Sequence, residues 1–266
     1  MHDILIAIIL GIVEGLTEFL PVSSTGHLIL VGHLFDFEGQ AADTFKIVIQ
    51  LGAVMAVLVL YWNRYMDILK NLLKFDFKAK KLNAIHMVLA MIPALIVYLI
   101  FKDVIKNVLF GPGPVLISLI AGGVLMIIAA RAKRKVTAEE TDDISYKQAF
   151  GIGVFQCLAL WPGFSRSGST ISGGLLLGTS QKAAADFTFM ISVPVMLGAT
   201  VLDMYDSREY LTTDALLLFL IGFAAAFVVA MIAVVTFLKL IKKLRLEWFA
   251  LYRFVIAILF YFFVMA

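Results

Sequence analysis

The amino-acid sequence predicts an all-α polytopic membrane protein. Its expected architecture is an inverted-topology repeat, each unit a re-entrant helical hairpin followed by three transmembrane helices. Composition is the first reason: of 266 residues, 62% are hydrophobic and 15% charged, with a mean hydropathy of +0.98. A soluble domain is nearer half apolar and a quarter charged, so water would not tolerate this surface. The second reason is a pair of apolar stretches, each broken by a polar, Gly-containing segment. The third is internal similarity at an offset of 142 residues.

In chain order, Ile4–Leu20 is followed after its break only by His27–Phe35, too short to cross a bilayer. Phe45–Trp62, Ala84–Phe101 and Val115–Ala130 come next. Each is close to the roughly 20 residues that span a membrane. Tyr146–Trp161 is the second broken stretch, followed only by Thr170–Leu177. Phe187–Met204, Ala215–Phe237 and Phe249–Ala266 bring the expected spans to six. Broken backbone survives at membrane depth only when buried in protein or lining a wet cavity. Both broken stretches therefore read as hairpins that enter and leave on one side.

Basic residues set the expected orientation. Arg64, Lys70, Lys74, Lys78, Lys80 and Lys81 fall in one loop. Arg131, Lys133, Arg134, Lys135 and Lys147 fall in a second, and Lys239, Lys242, Lys243 and Arg245 in a third. The alternate loops hold only Lys102, Lys106 and Arg208. The rich loops should be cytoplasmic. The first hairpin then enters from outside and the second from the cytoplasm, with Met1 and Ala266 both outside. Met1-His2-Asp3 lacks the basic region of a signal peptide, so no cleavage is expected. Cys157 is the single cysteine, so no internal disulfide staples the fold. The net charge of +3 suggests no nucleic-acid partner.

The offset of 142 places Gly11, Leu16, Ser23, Gly26, Ile29, Gly32, Leu34, Phe45 and Ile49 on identical residues from Gly153 to Ile191, without a gap. Glu14 falls on Gln156, a near-isostere. The expected units are 1–135 and 143–266. A hairpin plus three spans makes the second unit inverted. Such repeats usually hold a site near the midplane, with half-helix N-termini turned towards anions.

That site is read from the two breaks. Glu14 and Glu18 are four apart, so they share one helix face. Carboxylates among so many apolar residues are costly and usually functional. Pro21 is expected to stop the helix. Ser23, Ser24, Thr25 and Gly26 can then cap a new helix starting near His27. The second break reads P-G-F-S-R-S-G-S-T, Pro162 to Thr170, with Arg166 in the place of Ser24. A guanidinium presents a planar fork of donors that suits phosphate. Ser165, Ser167, Thr170 and the half-helix N–H groups add donors. A diphosphate between two carboxylates needs neutralising, and one Arg166 is too little. A Mg²⁺ or Ca²⁺ held by Glu14 and Glu18 would supply the rest. Ser24 is a candidate nucleophile and His27, on its face, a candidate proton acceptor, while Glu18 is read either as a metal ligand or as the group that orients the hydroxyl. A metal-activated water is the other route. Arg253 lies within the last span, near neither motif, and reads as snorkelling or as a structural pair. Asp186, which precedes a span, is a candidate to orient Arg166, while Cys157 reads as packing.

At these residues the chain closely resembles the undecaprenyl-diphosphate phosphatase family, the membrane enzymes linked to bacitracin resistance. Its signatures are an E/Q-x-x-x-E motif running into P-V-S-S-T-G-H, and P-G-x-S-R-S-x-x-T. Here they stand as Glu14–Glu18 with Pro21–His27, and as Pro162–Thr170. The resemblance extends over nearly the whole chain, including Ala159–Gly168 and Ala250–Phe254. It implies hydrolysis of undecaprenyl diphosphate to the monophosphate and inorganic phosphate, recycling the lipid carrier of cell-wall synthesis. It also implies a divalent cation and a site facing outside, in a bacterial plasma membrane. The expected partners are a polyprenyl diphosphate and membrane lipids, with a homodimer left open. The alternative is a lipid-phosphate transporter on the same inverted-repeat fold, for which the Glu, Ser and His chemistry would be unnecessary.

Overall fold

The computed structural model describes residues 2–74, 81–206, 216–241 and 243–266. Met1, Lys78, Lys80, Arg208 and Lys242, used above for orientation, lie outside the described residues.

The first broken stretch forms α1 (His2–Thr17) and α2 (Ser24–Leu34). The 11 residues of α2 rise about 16 Å at 1.5 Å each, roughly half the ~30 Å hydrocarbon core. Helix α1 ends at Thr17, before Pro21, and α2 begins at Ser24, three residues earlier than expected. Ser23 is the cap: at φ 72° its hydroxyl accepts from Gly26 N. Then come α3 (Gln40–Leu60), α4 (Trp62–Leu73), α5 (Ala84–Val104) and α6 (Pro112–Arg131). The second broken stretch forms α7 (Tyr146–Gln156), a 3-10 turn over Cys157–Leu160, and α8 (Arg166–Leu176). The chain ends with α9 (Gln181–Asp206), α10 (Leu216–Leu240) and α11 (Leu246–Phe260), the last prolonged by a π-helical turn.

Among the described residues six helices are long and apolar enough to cross a membrane: α3, α5, α6, α9, α10, and α11 with its extension. They match the expected spans. Among the described residues there is no strand, only one bridge between Ala138 and Thr179. Leu95, Leu99, Ile128, Leu217, Ile232 and Phe262 are among many large apolar residues left exposed. A lipid-facing belt explains such a surface, and water does not. Helix α4 is an addition to the sequence reading. It is amphipathic, and only Ile68 on it is buried.

The hairpins are gripped from opposite halves of the chain. Helix α1 packs along α10, and α7 packs along α5. Small residues permit the close approach. A Cβ at Gly11 would lie 2.6 Å from Gly222 O, and one at Gly153 would lie 2.5 Å from Ala90 O. Helix α8 rests on α6 and α9, while α2 touches α11. The central core joins Ala53, Val57, Phe189, Val193, Ala230 and Val234 from α3, α9 and α10.

Candidate active site

The first break keeps its acids on one helical turn. Glu18 N still bonds Glu14 O at 2.9 Å, although Glu18 lies just past α1. Ser24 opens α2, and its hydroxyl donates to Glu18 Oε2 at 2.5 Å. The other oxygen, Glu18 Oε1, accepts from Arg166 Nη2 at 3.0 Å. Arg166 opens α8, donates to Thr188 O at 3.3 Å, and lies 5.7 Å from the centre of the Phe19 ring. Hydroxyl, carboxylate and guanidinium thus form one chain between the two breaks. The Arg166 and Glu18 side chains are 12% and 6% exposed, so this ion pair is shielded from solvent screening.

The second break copies the first in backbone. Ser165 has φ 76°, close to Ser23, and its hydroxyl accepts from Gly168 N at 3.1 Å. A left-handed serine is uncommon, and two at matched positions mark a built feature. A cavity of about 200 Å³ lies between the breaks. Glu18, Ser23, Ser24, Thr25, Ser165 and Arg166 line it, as do Gln50 and Gln156.

Other expected residues lie elsewhere. Ser167 is buried and donates to Leu20 O at 2.9 Å. Thr170 donates to Arg166 O and accepts from Thr188 Oγ1, both at 2.8 Å. Neither lines the cavity; both brace α8 instead. Gly26 packs against Leu119. His27 holds Ser23 O with Nδ1 at 2.7 Å and meets Tyr252 OH with Nε2 at 2.8 Å. Both of its nitrogens are engaged, so the hydroxyl partner of Ser24 is Glu18, not the expected His27.

Glu14 is 1% exposed, and neither carboxylate oxygen has a hydrogen-bond partner. Its charged neighbours are Glu18 and Arg166. A buried carboxylate without a donor calls for a proton or a cation. Among the described residues no three His, Cys, Asp or Glu side chains gather into a cage. Two carboxylates with hard oxygens still fit Mg²⁺ or Ca²⁺, when phosphate and water complete the shell.

Arg253 was expected to snorkel or to form a structural pair. It is fully buried, and so does not snorkel. Nε donates to Leu119 O at 3.1 Å and Nη1 to Phe164 O at 2.8 Å. Nη2 reaches Ser118 O at 3.1 Å and Gly163 O at 2.9 Å. It therefore clasps the second break to α6, rather than lying away from both motifs. Asp186 bonds Tyr61 OH at 2.7 Å and not Arg166. The signal for Arg253 was an arginine within an apolar span; its carbonyl partners are visible only in the fold. Cys157 is free and half-buried.

This arrangement can grip a phosphate and present a hydroxyl beside a carboxylate. The family model for bacitracin resistance protein BacA matches residues 7–259. The chain belongs to the BacA family. It is 55% identical to Undecaprenyl-diphosphatase 1 of Bacillus cereus over 100% of both chains. The same identity and coverage hold for Undecaprenyl-diphosphatase 1 of Bacillus anthracis. This BacA chain is therefore a multi-pass membrane protein whose breaks lie in the matched region.

Proposed function

We propose that this chain hydrolyses undecaprenyl diphosphate to undecaprenyl phosphate and inorganic phosphate. Full-length similarity to proteins named for that activity supports the substrate. The Ser24–Glu18–Arg166 chain is the observation that carries the chemistry. Ser24 Oγ attacks the terminal phosphorus while Glu18 takes the hydroxyl proton. The bond to the bridging oxygen breaks, and undecaprenyl phosphate leaves. Arg166 moves its donors to the phosphoryl oxygens, aided by the N-terminus of α8. Water then cleaves the phosphoserine. A divalent cation, anchored by Glu14 while Glu18 serves as the base, would neutralise diphosphate charge when bound. Gly26, Ser167 and Thr170 support the two half-helices; Ser23, Thr25 and Ser165 face the substrate. A lipid-phosphate carrier needs an anion site, but not a hydroxyl set on a carboxylate.

In the membrane, residues 1–135 and 143–266 act as inverted units, with the site open to the outside of a bacterial plasma membrane. The reciprocal grip of α10 on α1 and α5 on α7 supports the pairing of units. The basic loops support the direction. Phosphate release by the purified protein from prenyl diphosphates tests the activity, and no release would overturn it. Single cysteines at positions 2, 134 and 102 of a Cys157→Ser protein should label from outside, inside and outside. Labelling of 2 and 134 from one side would overturn the topology.

A further inference from the structure

Gln156 is the counterpart of Glu14 in the second copy, and the steps above leave it without a task. It is 2% exposed and lines the same cavity as Glu18, Ser24 and Arg166. Its Nε2 donates to Ala90 O at 3.2 Å, while its Oε1 is buried and has no partner. The amide cannot turn over, because the reverse orientation would set Oε1 against the Ala90 carbonyl. The side chain thus holds an unmatched acceptor in a site built for anions. An unpaired buried acceptor is unfavourable, and a donor relieves it.

Phosphate oxygens are acceptors and cannot serve. Arg166 is committed to Glu18 and Thr188 O in this state. The remaining reactant of a hydrolysis is water, which has two O–H donors. We propose that Gln156 positions the water consumed in the reaction. One O–H donates to Gln156 Oε1 and the other to Glu18, leaving a lone pair for phosphorus. Two fixed acceptors define the direction of that lone pair; one alone would let the molecule swing. As the water oxygen bonds to phosphorus, the Ser24 Oγ–P bond breaks. Glu18 returns its proton to Oγ from one oxygen and takes the water's proton on the other. That proton departs with inorganic phosphate, so Ser24 and Glu18 are restored.

The inference rests on the phosphatase reading, and partitioning separates the two. Substrate labelled in its terminal phosphate is turned over with added methanol, and methyl phosphate is counted against inorganic phosphate. Gln156→Met keeps the size and removes the acceptor. It should slow phosphate release about tenfold and raise the methyl-to-inorganic ratio about as much, with KM within about twofold. A purely structural role would lower turnover without moving the ratio, and an unchanged ratio overturns the proposal. Should the Met variant not fold, Gln156→Asn withdraws the carbonyl by one methylene and must raise the same ratio. A wild-type protein that releases no phosphate sinks the phosphatase reading itself, and the water role with it.

Discussion

The two breaks share a backbone and divide the chemistry. Ser23 and Ser165 adopt φ 72° and 76°, and each hydroxyl caps the N–H three residues on. Each carbonyl also accepts from the side chain four residues on, His27 in one copy and Ser169 in the other. Beyond that frame the copies diverge. Ser24 stands opposite Arg166, Glu18 opposite Leu160, and Glu14 opposite Gln156. One copy holds the acids and the hydroxyl, and the other the cation. What the frame contributes is two half-helix ends held close together. The bond that joins the acid of one copy to the cation of the other is Glu18 to Arg166.

Removing the hydroxyl from the first copy should have the largest effect. Ser24→Ala is expected to lower phosphate release by more than about a thousandfold, as loss of a nucleophile does. A lost hydrogen bond to a charged group costs only about 1.5–3 kcal/mol. That corresponds to roughly ten- to a hundred-and-fifty-fold in rate. A variant keeping about a tenth of the wild-type rate would assign attack to water and leave Ser24 a donor.

Arg166→Lys sharpens the comparison from the other copy. The charge remains but the fork that spans Glu18 and Thr188 O is lost. Turnover should fall about a hundredfold with normal insertion, read as phosphate release at matched protein levels. Near-normal turnover would reduce Arg166 to a structural tie.

Glu14→Gln makes the copies alike at that position. If the orphan carboxylate anchors a cation, the variant needs about ten- to a hundredfold more Mg²⁺ or Ca²⁺ for half-maximal rate. Chelation should silence wild type and variant alike. An unchanged cation requirement would leave Glu14 a buried, protonated acid. The measurement is phosphate release across a divalent-cation titration.

Much of this division was legible in the sequence. Six spans, two hairpins and both breaks followed from apolar length and an offset of 142. The hydrogen-bonded trio of the candidate site, Glu18, Ser24 and Arg166, was singled out from polar residues where lipid should forbid them. Contacts that depend on the fold were not legible. The left-handed serines move the helix starts to Ser24 and Arg166, and no residue type announces that conformation in a serine. Ser167 and Thr170 look like phosphate donors in the motif, yet backbone carbonyls of Leu20 and Arg166 take their hydroxyls. Arg253 is matched by four carbonyls from two segments, α6 and the second break, which no spacing reveals. Helix α4 was hidden within a basic loop, where charge outweighed its apolar stripe.

The smallest expected effect comes from Tyr252, where the support of the two breaks differs most. In the second copy the Ser165 carbonyl ends on a hydroxyl, Ser169 Oγ, at 2.6 Å. In the first it continues through His27 to Tyr252 on α11. Ser23 O can only accept, so neutral His27 carries its proton on Nδ1 and leaves Nε2 to accept from the tyrosine. Tyr252→Phe removes that O–H and keeps the ring, which lies 5.6 Å from the imidazole at an interplanar angle of 9°. His27 then stays pinned through Nδ1, and the cap at Ser23 is kept. One net intramolecular hydrogen bond is worth about 0.5–1.5 kcal/mol. If all of it reached the transition state, the rate would fall about two- to tenfold. Most of it should be felt in the ground state too, so kcat is expected to fall about threefold with KM unchanged. His27→Ala should cost more, because it also strips the donor from the carbonyl beside Ser24. Kinetics of the two variants on one prenyl diphosphate check the order. A Tyr252→Phe protein as inactive as Ser24→Ala would place the tyrosine in the chemistry. The first break would then be more than a serine-capped frame carrying a nucleophile, and its likeness to the second would stop at Ser23.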